Sequence, residues 1–172
     1  MSAWRADLVA CGRRPSVGQA SVAWFLSPGF ALACHYRAAH WAVARGRWGR
    51  VLALLIERRM IARFGCHVSA QARIGPGVRF PHPLGIVIGE GGFVGSRATI
   101  YQGVTLGRRW VEVADYPRLG DGVTLFCGAT LLGAVFVPDG GTIGAQRLML
   151  GAAGREAAPG ARSPRAAAGL PV

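Results

Sequence analysis

One histidine lies in a setting that suits acid–base chemistry: His82, between Pro81 and Pro83. Histidine titrates near neutral pH and is the commonest general base in enzymes. The flanking prolines restrict the backbone and would hold the imidazole in one direction. The spacing by itself predicts two alternatives equally well: a general base, or a surface histidine at a turn with no catalytic role.

A second group of polar residues lies within residues 107–117, in the segment GRRWVEVADYP. Arg108 and Arg109 are suited to binding phosphate groups, although solvated surface arginines explain them nearly as well. Asp115 is an ordinary loop carboxylate in the simplest interpretation. Tyr116 can donate a hydrogen bond but is a poor base at neutral pH.

The stretch that contains these residues carries an aliphatic residue at nearly every sixth position. A period of six fits neither a helix nor a hairpin array. It is typical of a parallel β-helix of hexapeptide repeats, in which three short strands close one triangular coil. The sequence therefore predicts a mainly β fold. The repeated inward residues are Val68, Ile74, Phe80, Ile88, Val94, Ile100, Leu106, Leu119, Leu125, Leu131, Val137, Ile143 and Met149.

The six-residue register is interrupted twice, at residues 81–85 and at residues 107–117. Insertions in solenoids usually project from one face and often carry the binding function. One interruption contains His82 and the other contains the arginine pair. We therefore expect the chemistry at these two places.

The chain divides into three parts by pattern. We predict a helical region over residues 1–65, a β-helix over residues 66–150 and an irregular tail over residues 151–172, which is rich in Ala, Gly, Pro and Arg. Residues 1–27 are weakly patterned, with a short helix from Ser2.

Two helices are expected immediately before the β-helix. The first would begin at the N-cap Ser27 and end at Gly46. The second would span residues 47–64, with an apolar face formed by Val51, Leu52, Leu55, Ile56 and Met60. Such a helical pair would cover the open end of the solenoid, which would otherwise expose unpaired strand edges.

The formal net charge is +12, and all twenty basic residues are arginine. The joint absence of lysine and asparagine indicates coding bias more than a tuned binding surface, although a positive field would attract a polyanion such as a nucleotide. The β-helix segment lacks the interleaved aromatic and basic residues of nucleic-acid binders. No nucleic-acid partner is therefore expected.

The four cysteines are scattered and form no C-x-x-C pair. This pattern predicts neither a metal site nor a disulfide framework, and it favours a cytoplasmic location.

Arg13 and Arg14 precede an uncharged stretch and could mark an export signal, but Pro15 and Pro28 interrupt that stretch, so an N-terminal helical segment is favoured. An interfacial membrane contact through the two arginine-rich helices is left open.

Four segments carry a resemblance to a known family: GFALACHYRAAHWAVARGR, PHPLGIVIGE, IYQGVTLG and YPRLGDGV. Over roughly residues 28–150 the chain is similar to serine O-acetyltransferases of the hexapeptide-repeat acyltransferase superfamily. The resemblance implies a left-handed parallel β-helix with an N-terminal α-helical cap. It also implies a homotrimer, with acetyl-CoA bound between adjacent subunits.

The resemblance assigns roles to individual residues. His82 aligns with the general base, which would take the proton from the acceptor hydroxyl as that oxygen attacks the thioester directly. Tyr116 aligns with the family's second active-site histidine, and Asp115 lies beside it. No metal is implied. Contacts with CoA are implied for Gly107, Arg108, Arg109, Cys127, Gly128, Gly144 and Ala145.

The acceptor side departs from the family pattern. Tyr116 replaces a histidine, Pro81 replaces an aspartate, and residues 107–110 replace a glycine-rich segment. Serine is narrowly favoured as the acceptor; a sugar hydroxyl of a surface polysaccharide and a non-catalytic β-helix scaffold are the alternatives. Docking of cysteine synthase, which the family achieves through a C-terminal isoleucine, is doubtful because Val172 stands at that place.

Overall fold

The computed structural model describes residues 2–151. Within this range four helices come first and twelve short parallel strands follow. The helices are α1 (Ala3–Ala10), α2 (Val17–Leu26), α3 (Pro28–Val43) and α4 (Gly46–Phe64). The strands are β1 (His67–Val68), β2 (Arg73–Ile74), β3 (Val87–Ile88), β4 (Phe93–Val94), β5 (Thr99–Ile100), β6 (Thr105–Gly107), β7 (Arg118–Leu119), β8 (Thr124–Leu125), β9 (Thr130–Leu132), β10 (Phe136–Val137), β11 (Thr142–Ile143) and β12 (Leu148–Leu150). The residues expected to form the tail, including Val172, lie outside the described range apart from Gly151.

The strands form three parallel sheets, which are the three faces of a triangular prism. Sheet A has the order β1-β3-β6-β9-β12, sheet B the order β2-β4-β7-β10 and sheet C the order β5-β8-β11. The chain passes from sheet A to B to C and then climbs to the next coil, so that Ile88 pairs with Leu106 and Leu106 with Leu131. The predicted parallel β-helix is confirmed.

The predicted six-residue repeat fills the interior of the prism. On sheet A the inward residues are Val68, Ile88, Leu106 and Leu131, all fully buried. Each fully buried aliphatic side chain contributes about 1.5–3 kcal/mol to folding. Ile143 and Met149 in the last coils are only partly buried.

Both interruptions of the repeat leave the prism at an edge. Residues 81–86 form the turn that joins sheet C of the first coil to sheet A of the second coil. Residues 108–117 leave between β6 on sheet A and β7 on sheet B. The two insertions therefore lie at different edges.

The helices close the first coil of the β-helix. The Oγ of Ser27 accepts a backbone hydrogen bond at the start of α3, and α4 ends at Gly65, which has a φ of 61°. Tyr36 on α3 is fully buried. Its hydroxyl donates to the carbonyl of Ala72 at 2.7 Å and accepts from the N–H of Ile74 at 3.0 Å. One side chain thus satisfies two backbone groups of the first coil.

A buried ion pair ties α1 to the same coil. Asp7 is 1% exposed, and its carboxylate accepts two hydrogen bonds from the Arg37 guanidinium at 3.0 and 3.1 Å. It also accepts from the N–H groups of Gly77 and Val78 at 2.8 and 3.1 Å. Arg37 donates in turn to the carbonyl of Gly75 at 2.6 Å. Charge-assisted hydrogen bonds therefore join α1, α3 and the first coil in one network.

The prediction for the apolar face of α4 is only partly correct, because Met60 is buried and Ile56 packs against buried residues but the other three residues are not buried. Val51, Leu52 and Leu55 are each about half exposed, and the buried face consists of Gly49, Ala53, Met60 and Phe64. A Cβ on Gly49 would collide with the carbonyl of Ala42 on α3. The small residues of α4 therefore face α3, because only they allow the two helices to pack so closely.

The helix α2 lies in the stretch after Arg14 for which a helical segment was expected, but the weak pattern of residues 1–27 did not predict its bounds. Ser16 caps it, with its Oγ accepting from the N–H of Gln19 at 3.3 Å. No single helix between residues 2 and 151 is long and apolar enough to span a membrane. The helices α2 and α3 reach the required length and apolarity only when taken together, and the chain bends by 111° between them.

Candidate active site

His82 lies at the edge of the prism where sheet C joins sheet A. Its side chain is exposed, and its carbonyl accepts a hydrogen bond from the N–H of Leu84 at 2.8 Å, which tightens the turn. The same edge carries Tyr101 in the next coil and Phe126 in the one after. The ring centres of His82 and Tyr101 are 6.3 Å apart, and Tyr101 stacks on Phe126 at 5.3 Å. The imidazole thus stands at the end of a column of rings, open to solvent.

We call this line of corners the His82 edge: His82 with residues 101–103, 126–128 and 144–146. Gly103 and Gly128 adopt φ values of 68° and 69°, which most side chains avoid. The predicted CoA contacts at Cys127, Gly128, Gly144 and Ala145 all lie on this edge. A Cβ on Gly144 would meet nothing within 4 Å, so the surface there is open. The structure therefore brings these four residues into line with the proposed base.

The other candidates lie where sheet A joins sheet B, which we call the loop edge: residues 89–91, 107–117 and 133–134. The ring of Tyr116 packs on Gly89 and Gly91, and a Cβ on Gly89 would come within 2.5 Å of it. The Tyr116 hydroxyl donates to the Glu90 carboxylate at 3.2 Å. Arg108 forms an ion pair with the same carboxylate at 3.7 Å.

The environment of Tyr116 keeps its phenol protonated. Partial burial raises the pKa of Tyr116 above its ordinary value, the negative charge of Glu90 raises it further, and Arg108 opposes both. At neutral pH the hydroxyl is therefore a hydrogen-bond donor and not a base. Glu90 is the group that orients this hydroxyl.

A cleft of about 550 Å³ opens beside Tyr116. Its walls include the carboxylates of Glu90 and Asp115 and the guanidinium groups of Arg73 and Arg118. Ligand sites combine apolar walls with a few polar groups that fix orientation. Charges of both signs in one small cleft suit a zwitterion better than a neutral molecule.

Gly107 and Arg109 make contacts within the coil. The carbonyl of Gly107 accepts from the N–H of Gly133 at 2.9 Å, and Arg109 donates to the carbonyl of Gly151 at 3.1 Å. Arg108 is held by Glu90. Binding of CoA phosphates by the two arginines stays a prediction, because each has a partner in the chain.

One chain does not bring the two groups of candidates together. His82 and Cys127 lie on the His82 edge, whereas Asp115 and Tyr116 lie on the loop edge, and sheet A separates them. A site that contains both groups needs two chains, with the His82 edge of one against the loop edge of another.

The histidines on α3 have structural partners. His35 is buried, its Nδ1 lies 2.7 Å from the carbonyl of Ala31, and its ring stacks on Trp24 at 4.8 Å. Burial lowers the pKa of His35 below its ordinary value. The Nδ1 of His40 lies 2.7 Å from the carbonyl of Ala70. Over residues 2–151, no group of three or more His, Cys, Asp or Glu side chains has an arrangement that could hold a metal ion.

Sequence reasoning missed Tyr101 and Phe126. Each directly follows an inward aliphatic residue, Ile100 or Leu125, at a position that holds glycine in many other repeats. Large rings at two such positions, one coil apart on the same edge, were a signal available in the sequence.

Comparisons with known proteins agree with this architecture. No family model matches the chain. Serine acetyltransferase 4 of Arabidopsis thaliana is 39% identical over 116 residues, which are 67% of this chain and 32% of that protein. The crystal structure of Neisseria gonorrhoeae serine acetyltransferase matches with a TM-score of 0.74 at 32% identity, covering 85% of this chain and 57% of that one. A serine acetyltransferase in complex with CoA matches with a TM-score of 0.69 at 27% identity, covering 85% of this chain and 60% of that one.

The chain spans between about a third and three-fifths of the length of these proteins. The match covers both the helical cap and the coils, because 85% of the chain is aligned in three dimensions. It also confirms the left-handed form of the β-helix, which is the fold of those structures. By sequence and by fold, this chain belongs to the serine O-acetyltransferase family.

Proposed function

We propose that the chain is an acetyl-CoA-dependent serine O-acetyltransferase, the enzyme that takes the first step from serine towards cysteine. The observation that carries the proposal is the exposed imidazole of His82 in line with the open corners at Cys127 and Gly144. A long, thin thioester arm can lie along such corners, and a related serine acetyltransferase binds CoA. Acetyl-CoA is the donor substrate.

The acetyl group passes directly from CoA to serine, without an acyl-enzyme. The imidazole of His82 removes the proton of the serine hydroxyl as that oxygen attacks the carbonyl carbon of the acetyl group. The C–S bond then breaks, and the imidazolium returns the proton to the leaving thiolate. The products are O-acetylserine and free CoA. A general base contributes about 10²–10⁴-fold, and holding the hydroxyl beside the thioester supplies much of the remaining acceleration.

The cleft on the loop edge supports serine as the acceptor. Serine carries an ammonium and a carboxylate, and this cleft offers carboxylates from Glu90 and Asp115 and guanidinium groups from Arg73 and Arg118. Tyr116 adds a neutral donor. A sugar hydroxyl would leave most of these charges without a counter-charge.

The active assembly is a homotrimer in which each site takes its base from one chain and its acceptor cleft from the next. The separation of His82 from Tyr116 by a whole sheet supports this arrangement. Arg108 and Arg109 lie on the loop edge as well, and we assign them to the CoA phosphates across the subunit boundary. We propose the cytoplasm as the compartment, because scattered unpaired cysteines suit a reducing environment.

An acceptor screen with acetyl-CoA tests the proposal, with release of the free thiol as the signal. We expect turnover with serine and its loss by about 10²–10⁴-fold in His82→Ala. The matched control is Arg58→Ala, since Arg58 is exposed on α4, away from both edges of the prism, and we expect no loss of turnover there. Equal thiol release by the native protein and His82→Ala, or turnover with a sugar but not with serine, would contradict the proposal.

A further inference from the structure

The outward face of α4 is apolar and has no partner within the described chain. Trp48 is 73% exposed and Leu55 is 57% exposed, with Val51 and Leu52 about half exposed between them. The spacing of three and four residues places these side chains on one stripe of the helix. Contiguous apolar surface of this kind on a soluble protein marks a site of interaction.

The charges around this stripe are all positive. Residues 2–65 contain only two carboxylates, Asp7 and Glu57. Asp7 is buried against Arg37, and Glu57 accepts a hydrogen bond from the N–H of Ala70 at 2.5 Å. The arginines that are exposed on and beside α4 are Arg45, Arg47, Arg50, Arg58, Arg59 and Arg63. The outer surface of the helical cap therefore combines apolar and cationic groups without acidic ones.

Two tryptophans stand where α3 turns into α4. Trp41 is about half exposed, and the Arg45 guanidinium lies over its ring at 3.2 Å. Arg47 lies over the ring of Trp48 at 5.2 Å. Tryptophan and arginine are typical of the boundary between lipid headgroups and acyl chains. There the apolar part of each side chain contacts the acyl chains and its polar end contacts headgroups or water.

A second copy of the chain is a poor occupant of this face. Any contact between two helical caps, two-fold or around the axis of the proposed trimer, would set arginines against arginines, because the two carboxylates of residues 2–65 are engaged by Arg37 and by Ala70. Like charges across an interface oppose binding. An anionic bilayer provides the complementary charge for the arginines and an apolar layer for Trp48, Val51 and Leu55. Amphipathic helices with basic and aromatic residues bind in this way, parallel to the membrane plane.

We infer that the outer face of α4 binds the surface of an anionic lipid bilayer. Apolar contact through the stripe gives the anchoring, and each arginine near the surface adds about fivefold to the affinity. The inference is independent of the proposed acetyl transfer, because the face lies on the helical cap and not on either edge of the prism.

Vesicle flotation with the full chain tests the inference. We expect binding to vesicles of phosphatidylcholine with phosphatidylglycerol and little binding to phosphatidylcholine alone. The double variant Leu52→Gln/Leu55→Gln should bind at least about tenfold more weakly, while the control Leu148→Gln, an exposed leucine on β12, should bind normally. Likewise Arg47→Glu should weaken binding and Arg147→Glu, on the β-helix, should not. Trp48→Gln gives a second apolar test if the double variant unfolds by circular dichroism.

Three results would overturn the inference. The first is no binding to the anionic vesicles. The second is binding that the apolar variants leave unchanged, since charge alone would then explain it. The third is a lower oligomeric state of Leu52→Gln/Leu55→Gln in lipid-free sedimentation, which would make the face a contact between copies. Binding to a short DNA duplex but not to vesicles would make a nucleic acid the partner and contradict the inference as well.

Discussion

The Tyr116 hydroxyl donates its hydrogen bond to Glu90 at 3.2 Å, across the gap between two neighbouring coils. The family resemblance of the YPRLGDGV segment implies a histidine at the position of Tyr116. In this chain the position is occupied by a group that cannot accept a proton at neutral pH. In the proposed reaction we therefore expect His82 alone to act as acid and base.

Replacement of the Tyr116 phenol tests whether this residue binds the acceptor while His82 acts as the base. Tyr116→Phe removes one neutral donor, and we expect the KM for serine to rise roughly three- to tenfold with the KM for acetyl-CoA unchanged. Steady-state kinetics with each substrate varied in turn make the measurement. Tyr116→His should add an ionisation to the pH–rate profile that Tyr116→Phe lacks. An unchanged KM for serine in Tyr116→Phe would remove this residue from the acceptor site.

Mixed trimers test whether each site is shared between chains. We expect His82→Ala to be inactive, and a loop variant, Asp115→Ala/Tyr116→Ala, to be severely impaired. After the two are unfolded and refolded together in equal amounts, each half of a shared site is native half of the time. About a quarter of the native activity should therefore return. No recovery would mean that both halves of the site come from one chain. Native-like activity of the loop variant by itself would remove the loop edge from the site.

A larger side chain at Gly144 tests whether acetyl-CoA binds along the His82 edge. A side chain on Gly144 would meet nothing within 4 Å, so Gly144→Leu should fold normally, with a free energy of unfolding within about 0.5 kcal/mol of the native value. The added side chain should obstruct the thioester arm and raise the KM for acetyl-CoA about tenfold or more. The matched control is Gly18→Leu on α2, where a Cβ also meets nothing. A normal KM for acetyl-CoA in Gly144→Leu would place the arm elsewhere.

Alkaline pH should weaken the attachment of the helical cap through Tyr36. Burial raises the pKa of Tyr36 above its ordinary value of 10.0. A raised pKa means that the folded state holds the phenol proton of Tyr36 more tightly than the unfolded state does. The stability that this protonated phenol contributes is therefore fully present below about pH 10 and is lost as the pH rises further. Tyr36→Phe should cost about 1–3 kcal/mol at neutral pH, because the backbone groups of Ala72 and Ile74 lose their partner.

Urea unfolding over the alkaline range measures this effect. The difference in unfolding free energy between the native protein and Tyr36→Phe should shrink as the pH rises. Tyr101→Phe, at a partly exposed position, is the control and should change stability by less than about 0.5 kcal/mol at every pH. A difference that does not vary with pH would show that ionisation of Tyr36 is not linked to folding.

The coils were predictable from the sequence, and the arrangement of the site was only partly so. Inward residues such as Leu106 and Leu131 repeat with the six-residue period that is typical of a parallel β-helix, and His82 is marked by the prolines on either side of it. The apolar pattern alone did not predict which face of α4 is buried. The small residues Gly49 and Ala53 pack closely against α3, and the larger apolar residues lie on the exposed face. The start of α2 was missed although Ser16 and Gln19 have the spacing of a capping box.

The separation of His82 from Tyr116 needed the sheet topology. Both interruptions look alike in sequence, but one follows the third strand of a coil and the other follows the first. Only the coil geometry assigns them to different edges.

The ion pair between Asp7 and Arg37 has a consequence for how the molecule comes apart. A stack of repeats normally loses its terminal units first and can do so from either end. Here the carboxylate of Asp7 holds Gly77 and Val78 of the first coil, so this coil opens only together with α1 and α3. Among the coils of residues 66–151, the first coil should therefore be the last to open under heat or denaturant, and unwinding should run towards the helices.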